Sequence, residues 1–85
     1  MKIYLTDNQK DDIESKINYT FKRKERNEKR MEEAEKSGDK QAYTKYDNKD
    51  NILDAYIDGM IYVLHRIGYN VYEDDNGRYF IDNMI

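Results

Sequence analysis

The first glycine of this chain is Gly38, and no proline occurs anywhere in it. Proline removes a backbone donor and clashes with the preceding turn, and glycine costs about 1 kcal/mol in a helix interior. A long segment free of both can be one uninterrupted helix, and its pattern asks for one. Thr6 can cap the start, Gln9 stands three residues later in capping-box spacing, and Asp7, Asp11 and Asp12 suit the positive end of a helix dipole. Apolar side chains then fall at Ile13, Ile17 and Phe21 in steps of four, and return at Met31 and Ala34. The spacing predicts a helix over about 7–36, roughly 45 Å long at 1.5 Å per residue.

Gly38 suits the left-handed residue after a helix end, and Asp39 can cap the next helix. So short a connection predicts an antiparallel helical hairpin. The second helix is expected over about 40–67, closed by Gly68. Tyr46, Leu53, Met60 and Ile67 recur every seven residues, with Lys49, Tyr56 and Val63 as the companion row. Ile52, Ile57, Ile61 and Leu64 widen the apolar arc, so this helix needs more than one covering layer. Beyond Gly68 two β-prone runs flank Asn76-Gly77, a strong hairpin signal, which predicts a β-hairpin over 69–82. A four-residue loop from Asp74 to Gly77 would pair Glu73 with Arg78, Tyr72 with Tyr79 and Val71 with Phe80. The segment "KIYL" at residues 2–5 is a candidate third strand, because a lone hairpin is marginal in water. The expected fold is α+β and mostly α, one domain over 1–85.

Folding the chain about Ser37–Asp39 sets residues equidistant from the turn side by side. Ile13 then meets Val63, Ile17 meets Gly59 and Met60, and Phe21 meets Ala55 and Tyr56. Gly59, inside an apolar helix, reads as a point of close helix approach or of self-association. The first helix has too few apolar residues to cover the second, so Ile52, Ile57, Gly59, Ile61 and Leu64 are the candidate self-association surface. A homodimer with a four-helix core, or a larger homo-oligomer, is the expected assembly.

The stretch "FKRKERNEKRM" at 21–31 carries a local charge of +4 in a chain whose net charge is −3. Two readings compete for it. Lys22, Arg23, Arg26 and Arg30 could contact a polyanion such as nucleic acid. Alternatively the hairpin matches charges internally, with Lys22 facing Asp54, Arg26 facing Asp50 and Lys29 facing Asp47. The second is favoured, because the whole molecule is acidic.

Asp47, Asp50, Asp54 and Asp58 share a helix face, but with only His65 nearby they read as a solvated stripe and no metal is expected. The loop "YEDDNGRYFIDN" does not fit a calcium loop: aligning Gly77 to the obligatory glycine leaves Asn83 where the bidentate acid belongs. No cysteine is present, which removes thiol catalysis, thiolate metal sites and disulfides. His65 stands near a helix C-terminus with no nucleophile and orienting group around it in sequence, so no enzyme and no cofactor is expected. Nine tyrosines and no tryptophan are the most unusual compositional feature. Tyrosine gives large contact area at low entropy cost and stacks on bases. Arg66, Tyr69, Tyr72, Arg78 and Tyr79 are therefore the candidate partner or ligand contacts.

The opening "MKIYLTDNQK" has no apolar core of a signal peptide, and the longest apolar run, Met60 to Leu64, is far short of a membrane span. A cytoplasmic protein is expected. Lys, Asn, Ile, Tyr and Phe, the residues of AT-rich codons, make up 38 of the 85 residues. In size, composition and general style the chain resembles small phage and prophage proteins of AT-rich hosts. With no catalytic constellation, and more apolar and tyrosine-rich surface than a two-helix stem buries, a non-catalytic protein acting stoichiometrically on a host protein is expected; inhibition of a defence or regulatory factor is what the resemblance implies. Two alternatives stand beside it: an oligomer that sequesters a nucleotide-like molecule between tyrosines and arginines, and nucleic-acid contact through the basic run 22–30.

Overall fold

Thr6 opens the first helix through a reciprocal capping box. Its Oγ1 accepts from the Gln9 N–H at 3.2 Å, while Gln9 Oε1 accepts from the Thr6 N–H at 2.9 Å. The helix this launches, α1, runs Asp7–Ser37. It closes on Gly38 at φ 74°, whose N–H bonds the Glu35 carbonyl while the Asp39 N–H reaches Ala34. Those two bonds form a Schellman motif, which needs a left-handed residue and so favours glycine. Asp39 caps α2, Lys40–Arg66, by accepting from the Ala42 N–H at 3.0 Å. The two strands that follow, β1 (Tyr69–Glu73) and β2 (Tyr79–Asn83), pair antiparallel. The computed structural model describes residues 3–84. The fold is thus α+β and mostly helical: a long helical hairpin followed by a β-hairpin.

The β-hairpin register differs from the sequence expectation by one residue. Glu73 pairs with Tyr79, Tyr72 with Phe80 and Val71 with Ile81. The cause is Asp74, which binds across the turn. Its N–H donates to the Arg78 carbonyl at 2.8 Å, its carbonyl accepts from Gly77, and its Oδ1 accepts from Asn76 and Arg78. Three residues remain in the loop, with Gly77 left-handed at φ 77°. This is a type I turn with a glycine bulge rather than a four-residue loop. Since strand side chains alternate, the slip turns Tyr79 and Ile81 inward and Phe80 outward.

The expected N-terminal strand does not form among residues 3–5, and Lys2 lies outside the described residues. Among the described residues the sheet has two strands. Ile3 instead donates one hydrogen bond to the Ile67 carbonyl at 3.2 Å, and the Leu5 N–H reaches the Tyr69 hydroxyl at 2.9 Å.

The β-hairpin packs over the open end of the helical hairpin. Ile17, Leu64, Tyr69 and Ile81 are buried there, with Leu5, Ile13, Phe21, Met60, Ile67, Val71 and Tyr79 around them. Its free edge is tied to α1. Asn18 Oδ1 accepts from the Tyr79 N–H at 2.8 Å while its Nδ2 donates to the Tyr79 carbonyl at 2.7 Å. One turn earlier, Glu14 Oε2 accepts from the Ile81 N–H at 2.9 Å. Three groups on the outer edge of β2 that could pair with another chain are thereby satisfied within this one.

Phe21 belongs to this β-covered side, where its ring stacks on Tyr79 at 3.9 Å, rather than facing Ala55 and Tyr56. Gly59 is not a close helix approach: it is exposed, and a Cβ built on it meets nothing within 4 Å. Helix packing there is set by the side chains of Ile17, Met60 and Leu64 instead.

Candidate functional site

A helical hairpin has two broad faces, and the β-hairpin covers one. The other carries the surface features of interest. Ile52, Tyr56, Gly59 and Val63 follow at steps of four, three and four, which places them on one side of α2. Ile52 is 69% exposed, Tyr56 54% and Val63 58%. With Ile13, Lys16, Ala55, Met60 and Leu64, the residues Tyr56, Gly59 and Val63 line an open groove of about 600 Å³. It continues toward the hairpin turn as a shallower groove of about 360 Å³ bordered by Lys16, Tyr19, Arg23, Lys49, Ile52 and Tyr56.

The five self-association candidates do not act together. Ile57 and Leu64 are buried between the helices and Ile61 is half-buried, so these three hold the fold rather than a free surface. Ile52 and Gly59 lie on the open face. Tyr19, Lys16, Tyr56 and Val63 complete that face and were not singled out from the sequence as a surface. The available signal was the 4–3–4 spacing on α2, which alone does not say which side a later β-hairpin covers.

The basic run divides between two environments. Lys24 is half-buried at the helix seam and forms an ion pair with Asp54, with Glu28 a further 3.7 Å away. The hydrogen bond that Lys24 donates to Asp54 raises its pKa above the ordinary 10.5, against desolvation, and the charges of Asp54, Asp50 and Glu28 add to the rise. The expected pairs of Lys22 with Asp54, Arg26 with Asp50 and Lys29 with Asp47 do not form among the described residues. Lys24, two residues from Lys22 and so more than half a turn round α1, is the one that points into the seam. Lys22, Arg23, Arg26 and Arg30 are exposed. The Arg23 guanidinium lies 5.7 Å from the Tyr19 ring centre, and that of Arg30 lies 5.9 Å from Tyr46. Of the six cations in the run, Lys24 is matched internally and five, Lys29 among them, face outward.

Deeper in the stem stands a polar layer. Asn27 is buried and donates to the Tyr46 carbonyl at 2.7 Å, while its Oδ1 and the buried Oδ1 of Asp50 have no hydrogen-bond partner.

The tyrosine and arginine candidates are dispersed. Tyr69 is 3% exposed, and its hydroxyl is used by Leu5, so it is core. Tyr79 is half-buried against Phe21. Burial, then the charges of Glu73 and Glu25, push its hydroxyl above the usual 10.0, so it stays neutral. Tyr72 stands on the opposite face of the sheet, stacked on Phe80 at 5.6 Å. Arg66 is exposed at the end of α2 and Arg78 at the β-turn, so the length of a strand separates them. Only Arg78 and Tyr79 share a groove, about 410 Å³ between α1 and the turn, which also holds Lys22, Glu25 and Glu73. The two carboxylates there oppose a phosphate. His65 Nε2 lies 2.7 Å from Asn70 Oδ1. Among the described residues no three metal-ligating side chains are grouped to hold an ion, and no helix is long and apolar enough to cross a membrane.

No protein-family model, curated protein or solved structure matches this chain.

Proposed function

We propose that this is a small non-catalytic binding protein that holds a partner protein on the open face of its helical hairpin. The observation that carries the reading is the exposed row Ile52, Tyr56 and Val63, beside a groove of about 600 Å³. A scattered exposed leucine or tyrosine is ordinary on a protein surface, but a contiguous apolar strip is characteristic of an interaction site. On the β-covered side Asn18 and Glu14 are engaged in holding the strand edge, and the remaining groove there is lined by charged groups of both signs, whereas the open face carries the exposed apolar row. The AT-rich composition adds a phage or mobile-element origin, and with it a host protein in the cytoplasm as target. A homodimer through the same strip is the competing use of the surface.

The test uses the intact chain as bait in native mass spectrometry and pull-down, beside an Ile52→Asp/Tyr56→Ala variant. Both positions are exposed, so the thermal midpoint should move little. A stoichiometric partner held by the parent and lost by the variant is the expected result. An identical set of captured proteins from both chains would remove the open face from the reading. A bound mass of a few hundred daltons in place of a protein would instead favour the nucleotide-sequestering alternative.

A further inference from the structure

We infer that the partner presents an acidic amphipathic helix to this groove. The inference rests on the partner-binding reading and adds the chemistry of what binds. Every charged side chain lining the two grooves of the open face is a cation: Lys16, Arg23 and Lys49. Lys16 and Arg23 are seven residues apart on one side of α1, and Lys49 stands across from them on α2. The acids of α2 are elsewhere. Asp54 and Asp58 lie two residues either side of Tyr56, about 160° round the helix at 3.6 residues per turn. Asp54 is already engaged with Lys24. A chain of net charge −3 thus has a locally positive rim around an apolar floor. Charge complementarity then selects an occupant with an apolar stripe flanked by carboxylates.

The dimensions select a helix. The α2 wall from Lys49 to Leu64 spans about 22 Å and the α1 wall from Ile13 to Arg23 about 15 Å, which suits three to four helical turns. Anchors at i, i+4 and i+7 on such a helix can alternate with Ile52, Tyr56 and Val63. Gly59 supplies a notch between Tyr56 and Val63, since a Cβ there would touch nothing. A second copy of this chain is the poorer occupant, because like faces would bring the cations of each copy against those of the other. A nucleic acid would use the cations but leave the apolar floor buried against sugar and phosphate.

The probes are two labelled helical peptides of about 18 residues with one leucine stripe, flanked by glutamates in one and lysines in the other. Fluorescence anisotropy should show the glutamate peptide binding at least about tenfold tighter, with that margin shrinking as salt screens the rim. A Lys16→Glu/Arg23→Glu/Lys49→Glu chain should reverse the preference, and Ile52→Asp should weaken both peptides. Equal affinity for the two peptides, or saturable binding of neither, overturns the inference. So does a dimer in sedimentation that Ile52→Asp converts to monomer, which assigns the groove to a second copy, or an oligonucleotide that binds more tightly than the glutamate peptide. The bait experiment is read separately. Partner capture that depends on Ile52, together with equal peptide affinities, would leave the binding function standing and remove only the acidic helix.

Discussion

Asn18 holds both backbone groups of Tyr79 with one carboxamide, and it does so from a different element. A carboxamide fits this task because it carries a donor and an acceptor a fixed distance apart, matching an N–H and C=O on a strand edge. Glu14 satisfies the next edge donor, at Ile81. Removing the amide leaves two backbone groups beneath α1 with reduced access to water, at a cost of about 1–3 kcal/mol. Asn18→Ala should therefore lower the urea midpoint clearly, whereas alanine at the exposed Asn48 should leave it almost unchanged. Equal midpoints for the two variants would mean that water replaces the clamp freely. Nothing local in the sequence marks Asn18 for this role, because its partner lies 61 residues away. The capping residues Thr6, Gln9 and Asp39 were legible for the opposite reason: each bonds within three residues of itself.

At the scale of elements, the glycines separate what the backbone needs from what it tolerates. Gly77 sits at φ 77° in the β-turn, a conformation that costs an L side chain about 1–2 kcal/mol. Gly59 lies in helix with open space where a Cβ would be. Alanine at 77 should destabilise by about 1 kcal/mol, while alanine at 59 should stabilise by about 0.5–1 kcal/mol through helix propensity. Thermal unfolding of the two variants checks both signs, and a destabilised Gly59→Ala would show that the site needs glycine for folding after all. If the open groove is a docking site, the same stabilised variant should bind its partner less well. Helix bounds were readable because capping and 3.6-residue periodicity are written locally. The β-register was not, because Asp74 shortened the loop through its side chain and thereby inverted which of Tyr79 and Phe80 faces the core. The charge pairing missed for a related reason. Distance from the turn places residues along the stem, but rotation about each helix axis decides whether Lys22 or Lys24 reaches Asp54. The candidate site was legible only in part: Ile52 and Gly59 lie on the open face, whereas Tyr69, Ile57 and Leu64 went to the core.

The whole molecule is elongated, with extents of 49 × 26 × 21 Å and a radius of gyration of 15.6 Å. A compact chain of this length would have about 12 Å. The excess comes from the distal stem, where two helices run past the β-hairpin with no third layer over them. Between residues 25 and 50 only Asn27 and Ala34 are buried, and the Oδ1 atoms of Asn27 and Asp50 there lack partners. Local stability follows buried apolar contact, so opening should begin at the turn and proceed toward the β-covered end. Amide exchange should therefore be faster for residues 28–46 than for 13–24 and 52–66. A difference of at least tenfold is expected, or about 1.4 kcal/mol in opening free energy. Hydrogen exchange read by mass spectrometry on the isolated chain resolves these segments. Uniform protection would mean that something covers the distal stem in solution, and a second copy would be the first thing to look for. The expected gradient has a consequence for binding. A helix docked along the open face covers the walls from Ile13 to Arg23 and from Lys49 to Leu64, so bound partner should slow exchange most near Lys49 and Ile52, which border the labile stem.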